Sequence, residues 1–119
     1  VLMSGMSTAN ETIMYKPGLI QERLSLGETI FVGYTSTWCS TCKRQEKILT
    51  EIRQNNPAYE EKMTFVKIDW DTYKNHEVTS SRNIPRRSTL LLLQGDKEIG
   101  RIVAGTNSKE IEGLMAKGI

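Results

Sequence analysis

Long apolar runs are missing from this 119-residue chain: the longest purely aliphatic stretch is Leu90–Leu93, far short of the ~20 residues that cross a bilayer. No membrane span is expected. Grouped cations are missing as well. Sixteen Lys and Arg stand against fourteen Asp and Glu, for a net charge of +2, and nucleic-acid binding needs several clustered cations to neutralise successive phosphates. No nucleic-acid partner is expected. Metal ligands are scarce: the chain has one histidine, His76, and two cysteines, Cys39 and Cys42.

What is present is ordinary globular material. Hydrophobic residues make up 38% and charged residues 25%, which excludes a disordered tail, a collagen and a coiled coil, and the length suits one core. Residues 1–11 are rich in Ser, Thr, Asn and Met without periodicity, and are expected to be a flexible lead-in to a single domain over residues 12–119. Met3, Met6 and Met14 are too irregularly spaced for a copper-handling motif and are assigned to that lead-in.

Periodicity places the elements. After Pro17, the residues Leu19, Ile20 and Leu24 recur at helical spacing, and Gly27 stands where a glycine ends a helix. Thr29–Thr35 reads as a strand covered on both faces. From Cys39, a stripe of Cys42, Ile48, Leu49 and Ile52 marks a helix with Lys43, Arg44, Lys47 and Glu51 facing away, ended by Asn56-Pro57. Thr64–Ile68 reads as a strand, Asn75–Arg82 as a short helix leaving through a left-handed Asn83, and Thr89–Gln94 with Glu98–Val103 as a hairpin turning at Gly95-Asp96-Lys97. Asn107 and Glu110 resemble a helix N-terminus whose apolar face is Ile111, Leu114 and Met115. The order α, β, α, β, α, β, β, α implies an α/β fold: a central mixed sheet, parallel at first and ending in an antiparallel hairpin, with helices on both faces.

The two cysteines form one C-x-x-C at the start of a helix, where they share a face about one turn apart and lie within reach of a disulfide. Cys39, at the positive end of the helix dipole beside unpaired N–H groups, is expected to be the exposed nucleophilic thiolate. Cys42, a turn further in, is expected to resolve the mixed disulfide. A purely structural disulfide across two residues would constrain the unfolded chain very little, and a zinc site wants four ligands where the chain offers three. Redox chemistry is the favoured account, with no cofactor and no metal.

Strand Ile30–Thr37, then Trp38-Cys-Ser-Thr-Cys-Lys43, Val66-Lys-Ile-Asp-Trp-Asp71 and Ser88-Thr-Leu-Leu-Leu-Leu93, with Gly95 and Gly105 downstream, resemble a thioredoxin-family domain over about residues 17–117. The chain closely resembles small bacterial thioredoxin-like proteins that carry Arg-x-Ser-Thr-Leu in place of Ile-Pro-Thr-Leu. The resemblance implies a thiol–disulfide oxidoreductase, with the reductase direction favoured. It acts on cysteine-containing proteins bound as extended peptides, is recycled by a separate reductase or dithiol donor, and is expected to be monomeric. The N-terminus shows neither the basic n-region nor the apolar h-region of a signal peptide, which leaves cytoplasm and bacterial periplasm both open. Trp38, Arg87 and Ser88 are the expected substrate-binding residues; Arg86 with Arg87 would steer an acidic partner or form a solvated charged loop.

Three departures from the family pattern matter. The buried Asp six residues before the first cysteine is replaced by Gly33, which leaves Lys67, the lysine that accompanies it, as the candidate for proton transfer. Ser40-Thr41 replaces Gly-Pro. At the position of the family's cis-proline, an ungapped match puts Ser88, preferred over Pro85, which needs a three-residue insertion. Two rivals remain: a metal or iron–sulfur module in which two chains each give a C-x-x-C, and a non-catalytic interaction domain with a vestigial dithiol. His76 is read as a surface residue.

Overall fold

The computed structural model describes residues 12–95 and 97–119. The expected lead-in, with Met3 and Met6, and Asp96 of the hairpin turn lie outside these residues. Eleven elements follow one another among the described residues: β1 (Ile13–Met14), α1 (Leu19–Ser25), β2 (Thr29–Thr35), α2 (Ser40–Asn55), α3 (Pro57–Lys62), β3 (Met63–Asp69), α4 (Trp70–Tyr73), α5 (Glu77–Ser80), β4 (Thr89–Gln94), β5 (Lys97–Val103) and α6 (Ser108–Ala116). They build a five-stranded sheet in the order β1-β3-β2-β4-β5, parallel across β1, β3 and β2 and antiparallel across β4 and β5.

Alternation along the central strands sends side chains to two cores. Ile30, Val32 and Tyr34 of β2 and Leu91 and Leu93 of β4 face α1 and α5, where they meet Leu19, Ile20 and Val78. Phe31 of β2 and Leu90 and Leu92 of β4 face the opposite way, against Ile52 of α2, Tyr59 of α3 and Ile111, Leu114 and Met115 of α6. Both faces of the sheet are therefore covered, which is why these strands read as nearly unbroken apolar runs. Gly33 of β2 falls between Phe31 and Thr35 in this alternation, on the face that carries α2.

Five expectations are corrected. The sheet has a fifth strand, β1, too short to show a period. Met14 belongs to it and is exposed, so it is no part of the lead-in. Asn56-Pro57 ends α2, yet Pro57 also opens α3, since proline at the first helical position gives up an N–H that has no partner there. The helix expected over Asn75–Arg82 is the shorter α5, Glu77–Ser80, preceded by a separate short helix, α4, and His76 is the N-cap of α5: its Nδ1 accepts from the Val78 N–H at 3.0 Å and its ring packs against Tyr15 and Tyr73. His76 is thus a half-buried structural residue and not a free surface one. Asn83 does take the left-handed conformation, at φ 55°.

Candidate active site

Strand β2 runs into the turn Ser36–Trp38, and Cys39 follows as the N-cap of α2, in extended conformation with its Sγ accepting from the Cys42 N–H at 3.1 Å. A helix start leaves such N–H groups without intrahelical partners, so a sulfur at this place receives one for local reasons alone. Cys39 and Cys42 are joined in a disulfide. Contrary to expectation, Cys39 is not exposed: it is 4% accessible, against 1% for Cys42. The cause is the loop that faces the pair.

That loop delivers Ser88. The residue is fully buried, and its Oγ lies 2.9 Å from Cys42 Sγ and 3.2 Å from Cys39 Sγ. With the sulfurs joined and carrying no proton, the hydroxyl is the donor. Ser88 holds φ at 65°, a left-handed conformation that costs an L-residue roughly 1–2 kcal/mol, and all described peptide bonds are trans. Three elements hold it there. The Ser88 N–H donates to the Tyr34 carbonyl at 2.7 Å, and the Ser88 carbonyl accepts from the Ala104 N–H at 2.8 Å and from Gln45 Nε2 at 3.0 Å. Gln45 donates again to the Gly105 carbonyl at 2.9 Å. Pro85, the other candidate for this position, is exposed three residues earlier.

Trp38 stands 58% exposed at the rim; its Nε1 donates to Asp71 Oδ2 at 2.8 Å and the Arg87 guanidinium lies 3.9 Å from its ring centroid. Arg87 is therefore neither free nor fully solvated, and Arg86 turns its Nε back to the Arg87 carbonyl at 3.0 Å. Beneath Cys42 is a cavity of about 100 Å³ whose lining includes Gly33, Lys67, Gln45 and Glu46. Lys67, level with Gly33 on the neighbouring strand, reaches Glu46 Oε1 at 3.5 Å, and Thr35 Oγ1 donates to Glu46 Oε2 at 2.6 Å.

The sequence reading overlooked Gln45 and Glu46. Gln45 had a signal, since it falls three residues after Cys42 on the apolar stripe of α2 and is a polar side chain where a buried one is required. Glu46 had a weaker one: at i+4 from Cys42 it is the only carboxylate of α2 one turn beyond the second cysteine.

The thioredoxin family model matches residues 17–117. Comparison with curated protein sequences gives no match. Among solved structures, Trxlp from Edwardsiella tarda EIB202 superposes with a TM-score of 0.75 at 24% identity, covering 87% of this chain and 98% of its own. Thioredoxin from Schistosoma mansoni gives 0.73 at 23%, over 93% and 98%. Thioredoxin NaTrxh from Nicotiana alata gives 0.71 at 26%, over 90% and 91%.

Proposed function

The chain belongs to the thioredoxin family and is a thiol–disulfide oxidoreductase; we propose that it runs as a reductase of protein disulfides, with Cys39 as the attacking and Cys42 as the resolving thiol. In that cycle, Cys39 thiolate opens the substrate disulfide and forms a mixed disulfide. Cys42 then attacks Cys39 Sγ, closes the Cys39–Cys42 bond and releases the second substrate thiolate, so that two electrons pass from the dithiol to the substrate. A separate dithiol donor or reductase returns the pair to the reduced state. We assign the exposed ring of Trp38, the stacked Arg87 and the Ser88 loop to the rim that receives an extended cysteine-bearing segment. The protein acts as a monomer in this reading, within cellular redox homeostasis.

The observation that carries the direction is the neutrality of the groups touching the sulfurs. Their contacts among the described residues are the Cys42 N–H, the Ser88 hydroxyl and the Tyr34 carbonyl, which lies 3.9 Å from Cys42 Sγ. A strong oxidant needs a heavily stabilised thiolate, usually by a cation or a histidine beside the first cysteine, and here Arg87 is engaged on Trp38 and Lys67 on Glu46. Equilibration of the Cys39–Cys42 pair with glutathione tests this. A reductase should fall near the thioredoxin value of about −270 mV, whereas a potential approaching about −120 mV would make the protein an oxidant and overturn the assignment.

A further inference from the structure

Resolution by Cys42 requires that its thiol lose a proton, and the strand beneath it offers glycine at position 33. The carboxylate in this region comes from the helix. Glu46 lies one turn beyond Cys42 on α2, a spacing that puts both side chains on one face, and both line the cavity of about 100 Å³ over Gly33. Phe31, Leu49, Phe65 and Leu90 line it on one side and the polar side chains of Thr35, Gln45, Glu46 and Lys67 on the other, and a water bridging Cys42 to Glu46 would need only about 10–15 Å³ of that space. Two further residues fix the carboxylate: Thr35 Oγ1 on Oε2 at 2.6 Å and Lys67 Nζ by Oε1 at 3.5 Å. Glu46, Thr35 and Lys67 also line a surface groove of about 280 Å³ together with Lys43 and Asp69. The side chain of Glu46 is 38% accessible, so it stands between the resolving cysteine and solvent.

We propose that Glu46 is the proton acceptor for Cys42, a carboxylate supplied by α2 across the space that Gly33 leaves open. The proposal rests on the oxidoreductase reading above. When Cys42 attacks the mixed disulfide, its S–H proton passes through the cavity to the Glu46 carboxylate, the Cys39–Cys42 bond forms, the bond from Cys39 to the substrate sulfur breaks, and the substrate leaves as thiolate. Glu46 then returns its proton to solvent through the groove. In the reverse reaction, the protonated acid donates to Cys42 as the disulfide opens. The charged groups around Glu46 are Lys67 from β3, Lys43 and Arg53 from its own helix, and Asp69 at the end of β3. Lys67 is thereby a positioning residue, holding the carboxylate, and the proton moves on Glu46.

Reaction of the reduced protein with an aromatic disulfide such as dithiobis(nitrobenzoate) separates the two steps, because attack by Cys39 releases one thionitrobenzoate and resolution by Cys42 releases the second. Glu46→Gln should leave the first release unchanged and slow the second about 100-fold at pH 6.5. Its second release should then climb about tenfold per pH unit toward the free thiol range near 8.5. Glu46→Asp, which keeps the carboxylate, should retain the wild-type pH profile. A Glu46→Gln second release with wild-type rate and profile would overturn the proposal. So would an equal slowing of both releases in either variant, which would mark Glu46 as a structural support of α2. Absence of any second release from the wild-type protein would instead refute the oxidoreductase reading on which the proposal stands.

Discussion

Single residues at this site do work that the surrounding elements constrain tightly. Ser88 keeps a strained backbone because its N–H and carbonyl are both taken by other elements, and the benefit is a hydroxyl within reach of both sulfurs. In the reduced protein the same hydroxyl faces thiolate, and a hydrogen bond to a charged group is worth about 1.5 kcal/mol. Ser88→Ala removes it while leaving the backbone alone, so the reduced form loses stability and the potential of the pair should fall by about 30 mV. A potential in Ser88→Ala that equals or exceeds the wild-type value would show that the hydroxyl serves packing only. The motif Trp-Cys-x-x-Cys could be read from the chain because its residues are neighbours in sequence, and the place of Ser88 because the resemblance to the family runs without a gap from Glu77 to Thr89. Glu46 could not, since its meaning lies in a glycine on another strand and in the partners Thr35 and Lys67 that the sheet brings to it.

Elements were legible where their periods were long and closed by local signals. Strands β2 and β4 and helix α6 stand where the pattern put them; α6 even keeps its cap, with Asn107 Oδ1 accepting from the Glu110 N–H at 3.0 Å. Strand β1 escaped because two residues carry no alternation, and its existence is decided by the free edge of β3. Helix α3 escaped because proline was read only as a terminator. Helix α4 escaped because four residues carry no helical period, and the start of α5 is blurred because capping by His76 through its ring nitrogen has no common sequence signature. Helix α2 does more than present the cysteines. Through Gln45 it ties the Ser88 loop and the Gly105 loop to its own second turn. Gln45→Leu keeps the burial and removes both bonds, leaving the buried Ser88 carbonyl with the Ala104 N–H alone and the half-buried Gly105 carbonyl without this donor. It should cost about 1–3 kcal/mol in urea unfolding and increase the access of Cys39 to an alkylating reagent after reduction. Unchanged stability together with unchanged access would show that the backbone holds Ser88 unaided.

At the scale of the whole molecule, the α1–α5 face of the sheet is closed by Tyr34, a fully buried phenol whose hydroxyl donates to the Val78 carbonyl at 2.8 Å. Burial pushes this phenol up to about 12, and burial raises Tyr15 and Tyr59 in the same direction. The folded protein therefore keeps protons that the unfolded chain releases near pH 10, the unfolded state binds fewer, and stability falls as pH rises. Tyr34 alone should remove about 2–3 kcal/mol between pH 10 and 12. Denaturant unfolding at pH 9 and 11 should show the loss, and Tyr34→Phe should flatten it; an equal slope in the variant would place the alkaline sensitivity elsewhere. Function depends on the same scaffold, since β2, α2 and the Ser88 loop meet only when both faces are packed. The most direct measurement of the central claim is covalent trapping: Cys42→Ser protein, incubated with disulfide-bearing proteins, should accumulate mixed disulfides attached at Cys39, stable to denaturation and released by dithiothreitol, while Cys39→Ser should accumulate none. Trapping by Cys39→Ser but not by Cys42→Ser would contradict the roles assigned to the two thiols.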